Sequence, residues 1–251
     1  NTTIIQLHRI IHKAFAWAIK RKLISSNPAN GATPPRKRQH EVKIWDVPTI
    51  HEFLEVSQDT RFGDVYKFAL STGMRRSEIA GLKWESVDLP EGDGEKGSLS
   101  VVSTLHRLKG HGLKDQEPKT KGSWRSIRFS SKTVALLKTV RGTQLLQRNE
   151  YGPLWQDTGY VFTHPNGTPL IPDQITQDFA SVIKRFDLPH LTFHGLRHAF
   201  ATLALKKNIS PKIVSHALGH SKIGITMDLY SHVIPDMQDE LADAVADVLS
   251  G

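Results

Sequence analysis

The sequence predicts a mainly α-helical protein with a small antiparallel β-sheet, an α+β class. Apolar residues recur at three- and four-residue spacing along most of the chain. Two short segments instead alternate apolar and polar residues with strand composition, and they flank one polar stretch rich in Gly, Lys and His.

Taken in order, Ile4, Leu7, Ile11, Phe15, Ala18 and Ile19 lie at helical spacing, with Arg9, Lys13 and Lys20 between them. Asn27-Pro28 is expected to stop that helix, and Gly31 to Pro35 reads as a linker. A single helix cannot bury its own apolar stripe, so residues 1–27 read as the last piece of a domain with further sequence upstream. Asp46 and Pro48 mark a helix start, with helices expected over 47–57 and 62–72. Gly73 ends the second, and Arg75 to Leu82 reads as a short helix. Strands are expected at 99–105 and 124–129, joined by a long, mobile hairpin loop. Helices follow at 131–148, 172–186, 195–208 and 211–218, with a short strand at Tyr160–Thr163 before the Pro165-Asn166-Gly167 turn. Met237, Leu241, Val245 and Val248 predict a last amphipathic helix.

The net charge of +8 is unevenly spread. Residues 1–40 hold eight basic residues and no acid, whereas Asp236 to Asp247 holds five acids and no base. A basic entry segment fits a polyanionic partner such as nucleic acid, or equally a solvated helix face and a tether. The 251 residues contain no cysteine, which removes disulfides, thiolate metal sites and cysteine nucleophiles, and fits a reducing compartment. No apolar run approaches the roughly 18 to 20 residues of a membrane span.

Five places hold ionisable groups that packing does not require. In Thr72-Gly73-Met74-Arg75-Arg76-Ser77-Glu78, Glu78 lies three residues after Arg75 and shares its helix face; a surface ion pair is the plain alternative. Between residues 105 and 128 stand seven Lys or Arg and two acids, including Lys119, Lys121 and Arg125. A basic loop there could reach a phosphate backbone. His194, Arg197 and His198 open a predicted helix, where backbone N–H groups also favour anions. His220 follows at Leu218-Gly219-His220, and Tyr230 ten residues later. His194/His198 and His216/His220 also have the four-residue spacing of zinc ligands. Gly195 stands where a metalloprotease has Glu, and Arg197 would repel a cation, which favours the anion reading. Taken singly, Tyr230 reads as a core tyrosine. Together, two arginines, two histidines, a lysine and a tyrosine form a complete set for phosphoryl transfer without a metal or cofactor.

With these residues assembled, the chain resembles the tyrosine recombinases of the phage-integrase type. The matching motifs are Thr72 to Glu78, Pro118-Lys119-Thr120, His194 to His198 with Ala201-Thr202, and Leu218 to Ser221 running to Tyr230-Ser231-His232. The resemblance implies the tyrosine-recombinase catalytic fold over 45–251, preceded by a basic linker at 31–44 and the end of a truncated helical core-binding domain at 1–30. It implies that Tyr230 attacks the scissile phosphate of double-stranded DNA, leaving a 3′-phosphotyrosyl bond. Arg75 and Arg197 would clamp that phosphate, Lys119 would protonate the 5′ oxygen, and His194 and His220 would assist, with Glu78 in support. Assigning the lysine to Lys119 rather than Lys121 depends on the loop. DNA contacts are expected from Arg36, Lys37, Arg38, Lys121 and Arg125.

The implied function is site-specific recombination or integration through a Holliday junction by a homotetramer, serving a phage or transposon in the bacterial cytoplasm. The acidic C-terminal segment could dock on a neighbouring protomer, and accessory proteins fit the same picture. The alternatives are a type IB-like topoisomerase and a catalytically silent DNA-binding relative. His198, His216 and His232 are left without roles.

Overall fold

The computed structural model describes residues 2–36, 43–92, 94–108, 110–116 and 124–230. The chain divides into two compact units, Asn1–Glu41 and Val42–Gly251.

In the first unit, helix α1 (Thr2–Lys20) ends before the expected Asn27-Pro28 stop. Lys22 takes a left-handed conformation (φ 58°), and the Lys22 and Leu23 N–H groups close on Ile19 and Ala18 carbonyls. Asn27 instead caps the short helical turn Pro28–Gly31, accepting the Ala29 N–H at 3.0 Å. Its side-chain amide donates back to the His12 carbonyl at 3.0 Å. Nothing on α1 is buried, and Ile4, Leu7, Ile10 and Trp17 stand exposed.

The second unit opens with α2 (Val47–Ser57), where Asp46 accepts the Thr49 N–H at 2.9 Å and Pro48 occupies the first turn. Helix α3 (Gly63–Thr72) ends at Gly73, and α4 (Arg76–Ala80) follows at once. The strands are β1 (Val87–Asp88), β2 (Gly97–Val101), β3 (Thr104–Leu108), β4 (Gly112–Gln116) and β5 (Arg125–Phe129). Then come α5 (Ser131–Tyr151), α6 (Pro172–Arg185), α7 (Phe193–Lys206), α8 (Pro211–Leu218) and α9 (Ile223–Tyr230). Strands β1, β2 and β5 form an antiparallel sheet in that order, with Leu99 opposite Ile127 and Val101 opposite Arg125. Phe53, Tyr66, Phe179 and Phe193 form an aromatic cluster that joins α2, α3, α6 and α7, with ring centroids 5.3–6.2 Å apart. That cluster fixes the start of α7, which carries much of the site.

Three expectations change here. The single strand predicted over 99–105 breaks at Val102-Ser103, where the Ser103 hydroxyl donates to the Gly81 carbonyl at 2.6 Å. The chain then leaves the first sheet, and much of the stretch expected as a mobile loop is an ordered β3–β4 hairpin, with Leu105 opposite Asp115. Tyr160 donates to both Asp115 carboxylate oxygens at 2.8 Å, and Lys83 pairs with the same carboxylate at 3.1 Å, tying the hairpin to the body. Tyr160–Thr163 makes isolated bridges to Lys83 and Pro169 instead of a strand. The expected C-terminal helix around Met237 to Val248, together with Lys37, Arg38, Lys119, Lys121 and His232, lies outside the described residues.

Candidate active site

The site grows from three backbone corners. At the α3–α4 corner, Gly73 holds φ +63°, and a Cβ there would lie 2.5 Å from the Phe200 ring. The turn puts Arg75 at the N-cap of α4, where its N–H donates to Glu78 Oε2 at 2.7 Å and its guanidinium to Oε1 at 2.8 Å. Glu78 is 2% exposed and takes a second, bidentate guanidinium from Arg125 at 3.0 and 2.8 Å. Burial would raise its carboxyl pKa, but the bonds and charges of Arg125 and Arg75 outweigh it and lower it to about 2.

The second corner is the start of α7. Thr192 is extended, buried Phe193 anchors the first turn, and His194, Arg197 and His198 follow at three- and four-residue spacing on one face. His194 is exposed, and its ring meets the His198 ring edge-on at 4.8 Å. Partial desolvation and the Arg197 and Arg75 charges lower its pKa. Arg197 is buried, and its guanidinium donates to the Gly73 carbonyl at 2.7 Å. Burial and the neighbouring Arg75 lower its pKa to about 9, which leaves it a cation at neutral pH.

The third corner joins α8 to α9 through Gly219, at φ +64°. Three consecutive carbonyls at this helix end each receive an arginine. Ala217 accepts from Arg125 Nε at 2.7 Å, Leu218 from Arg197 Nη2 at 2.5 Å, and Gly219 from Arg75 Nη2 at 3.2 Å. A helix C-terminus has unpaired carbonyls and partial negative charge, so it suits converging cations. His220 follows, its Nδ1 2.8 Å from the Thr226 hydroxyl. Burial and the Arg197, Arg75 and Arg125 charges, with His198, bring its pKa down to about 4.

Tyr230, the last residue of α9, is 1% exposed and packs with Ala201, Leu205, Val214 and Leu218. Its hydroxyl lies 2.7 Å from His198 Nδ1. Burial raises its pKa to about 12 against the opposing pull of Arg197.

The structure therefore brings Arg75, Glu78, His194, Arg197, His220 and Tyr230 around the α8–α9 corner. Arg36 is exposed in the first unit. Arg125, expected to contact DNA, has a side chain that is 1% exposed and donates to Glu78 and Ala217. The alternation of Arg125, Ile127 and Phe129, all inward on β5, was the signal available for this. The bond from His198 to Tyr230 had no signal in spacing alone. His216 is exposed, and no group of three His, Cys, Asp or Glu converges as a metal site among the described residues. Beside Arg75 and His194 opens a cavity of about 430 Å³, also lined by Arg76, His106 and Arg107, none of them singled out from the sequence.

The chain matches the phage integrase family over residues 45–236. A tyrosine recombinase XerC-like protein of Caldanaerobacter subterraneus subsp. tengcongensis is 28% identical over 260 residues, covering 99% of this chain and 66% of that protein. The ICEBs1 integrase of Bacillus subtilis is 26% identical over 258 residues, with the same two coverages of 99% and 66%. The chain thus spans just under two thirds of the length of either relative. Among solved structures, the Tn1549 transposon integrase in complex with transposon right end DNA aligns with a TM-score of 0.77 at 23% identity, covering 96% of this chain and 79% of that one. A lambda integrase dimer bound to a core site aligns at 0.58 and 17% identity, covering 89% and 71%. At these identities the likeness shows the fold.

Proposed function

The chain belongs to the phage integrase family, and on that premise we propose that it is a DNA strand transferase, a site-specific recombinase or integrase of a phage or transposon. The observation that carries this reading is the convergence of Arg75 and Arg197 on successive carbonyls of the α8 end, beside His220, with Tyr230 of α9 hydrogen-bonded to His198, the residue that follows Arg197. Each guanidinium has five N–H donors, so donors remain for phosphate oxygens after these bonds are made. The nearby cleft, with Arg76, His106 and Arg107, offers a continuing cationic path for a DNA backbone. The Tn1549 and lambda integrase structures hold DNA, which supports the same partner here.

In this reading Tyr230 attacks the scissile phosphate, and Arg75, Arg197, His194 and His220 stabilise the five-coordinate phosphorus. Lys119 protonates the departing 5′ oxygen. The covalent 3′-phosphotyrosyl ester conserves the bond energy, so a 5′-hydroxyl from a second duplex reseals the strand. Two such exchanges pass through a Holliday junction, in a homotetramer. Residues 1–30 serve as the end of a core-binding domain, 31–44 as the basic linker, and 45–251 as the catalytic domain.

The test is a nicked suicide duplex. Wild-type protein should give a covalent adduct that survives SDS, in chelator as well as without it, and Tyr230→Phe should give none. Tight binding without any wild-type adduct would leave the silent DNA-binding alternative in its place.

A further inference from the structure

We infer that His198 is the base that takes the phenolic proton of Tyr230 as the tyrosine attacks the phosphodiester. The inference rests on the proposed role of Tyr230 as nucleophile. Its starting point is contact with the reacting atom: His198 Nδ1 lies 2.7 Å from the Tyr230 hydroxyl oxygen. That is ordinary distance for proton transfer along a hydrogen bond. His198 immediately follows Arg197 on α7, so the phosphate clamp and the base share one rigid element. The ring is held between two neighbours, His194 edge-on at 4.8 Å and the Tyr230 ring at 5.9 Å.

The other two histidines of the site are placed for different work. His220 directs its Nδ1 to Thr226, and His194 stands exposed at the mouth, lining the cationic cleft. The groups facing His198 are His194 and Arg197 on α7, Tyr230 on α9, and His220 beyond α8. Burial, His194 and Arg197 lower the pKa of His198 to about 4, so at neutral pH the ring is uncharged. With Nε2 protonated, Nδ1 presents a lone pair and the phenol donates to it. A docked phosphodiester places negative charge beside Arg197 and Arg75, offsets the cations that weaken this base, and so strengthens it when substrate is present. Tyr230, with its pKa raised to about 12, holds almost no phenolate at neutral pH, so attack needs a proton acceptor.

The step balances. The Tyr230 oxygen forms its bond to phosphorus while its proton passes to His198 Nδ1. The bond from phosphorus to the 5′ oxygen breaks, and that oxygen takes a proton from the general acid. In resealing, the protonated His198 returns its proton to the departing Tyr230 oxygen.

The discriminating variant is His198→Asn, whose side-chain oxygen accepts a hydrogen bond from the phenol but does not take up its proton. The DNA is a nicked suicide duplex selected from a random-sequence pool by SDS-resistant attachment to the wild-type protein. We expect His198→Asn and His198→Ala to bind this duplex as wild type does and to cleave it about a hundredfold or more slowly. Added imidazole should restore His198→Ala in part and leave His198→Asn unchanged. A 5′-bridging sulfur at the scissile position, which needs no general acid, should not relieve either defect. Cleavage by His198→Asn within threefold of wild type, or faster, overturns the inference and leaves the bond to Tyr230 as a positional contact or a restraint. Failure to select any duplex, or an adduct that persists in Tyr230→Phe, sinks the nucleophile assignment instead and the inference with it.

Discussion

Glu78 is the residue on which the arrangement of charge turns. Two guanidiniums share its carboxylate, one from half-exposed Arg75 and one from buried Arg125. Removing one member of a buried pair strands the other, which typically costs about 3 to 5 kcal/mol. Glu78→Gln should therefore lower unfolding free energy by about 3 kcal/mol in denaturant titrations at pH 7. Combining it with Arg125→Met should cost less than the two single effects added together. The sign with pH follows from a folded pKa near 2 against the ordinary 4.5. Stabilisation by the ionised carboxylate is complete above pH 4.5 and is lost as pH falls toward 2, so the gap between wild type and Glu78→Gln should close over that window. From the sequence, the i, i+3 partnership of Arg75 and Glu78 was legible because helix geometry dictates it. The second partner was not, since Arg125 reaches Glu78 across 47 residues and only the tertiary fold brings them together.

At the scale of elements, corners matter more than helices. The α8–α9 corner needs the left-handed Gly219, and a Cβ there would also lie 2.8 Å from Arg125 Nη1. Gly219→Ala should lower stability by about 1 to 2 kcal/mol through backbone strain alone. It should reduce strand cleavage by more than it reduces DNA binding, because the Leu218 and Gly219 carbonyls that seat Arg197 and Arg75 would shift. Parallel thermal melts and adduct assays check both parts. Helix α2 was legible from its cap, Asp46 with Pro48 marking the start, and α6 and α8 from the spacing of their apolar residues. The β3–β4 hairpin was hidden, because its polar, basic residues carry little strand signal. It is held by the Tyr160, Asp115 and Lys83 contacts, which no local pattern encodes. Helix α9 was hidden for a related reason: its eight residues contain Gly224 and two β-branched isoleucines, and packing of Tyr230 and Leu229 compensates for weak propensity.

At the scale of the whole molecule, the charge divides by task. The first 40 residues contribute eight positive charges and no negative one, while Arg75 and Arg197 each already give two N–H groups to protein acceptors. Affinity for DNA should therefore draw on the entry segment more than on the site. Replacing Arg36, Lys37 and Arg38 together by Ala should weaken binding to all duplexes alike. It should reduce the slope of log affinity against log salt by about 0.9 for each phosphate that is no longer neutralised. The cleavage rate at saturating protein should remain. An unchanged salt slope would place the DNA-binding cations elsewhere.

Tyr230 is 1% exposed, its hydroxyl turned to His198 and its side chain buried in a cluster with Ala201, Leu205, Val214 and Leu218. On the proposed assignment, the reacting oxygen is sheathed in the protein without DNA. Attack on that assignment requires a phosphate to reach an oxygen that is covered before DNA binds, with His198 still in contact with it. Genome safety would then come from a gate on access to one oxygen atom, and the sites that are cut would be those whose grip lasts long enough for the gate to move.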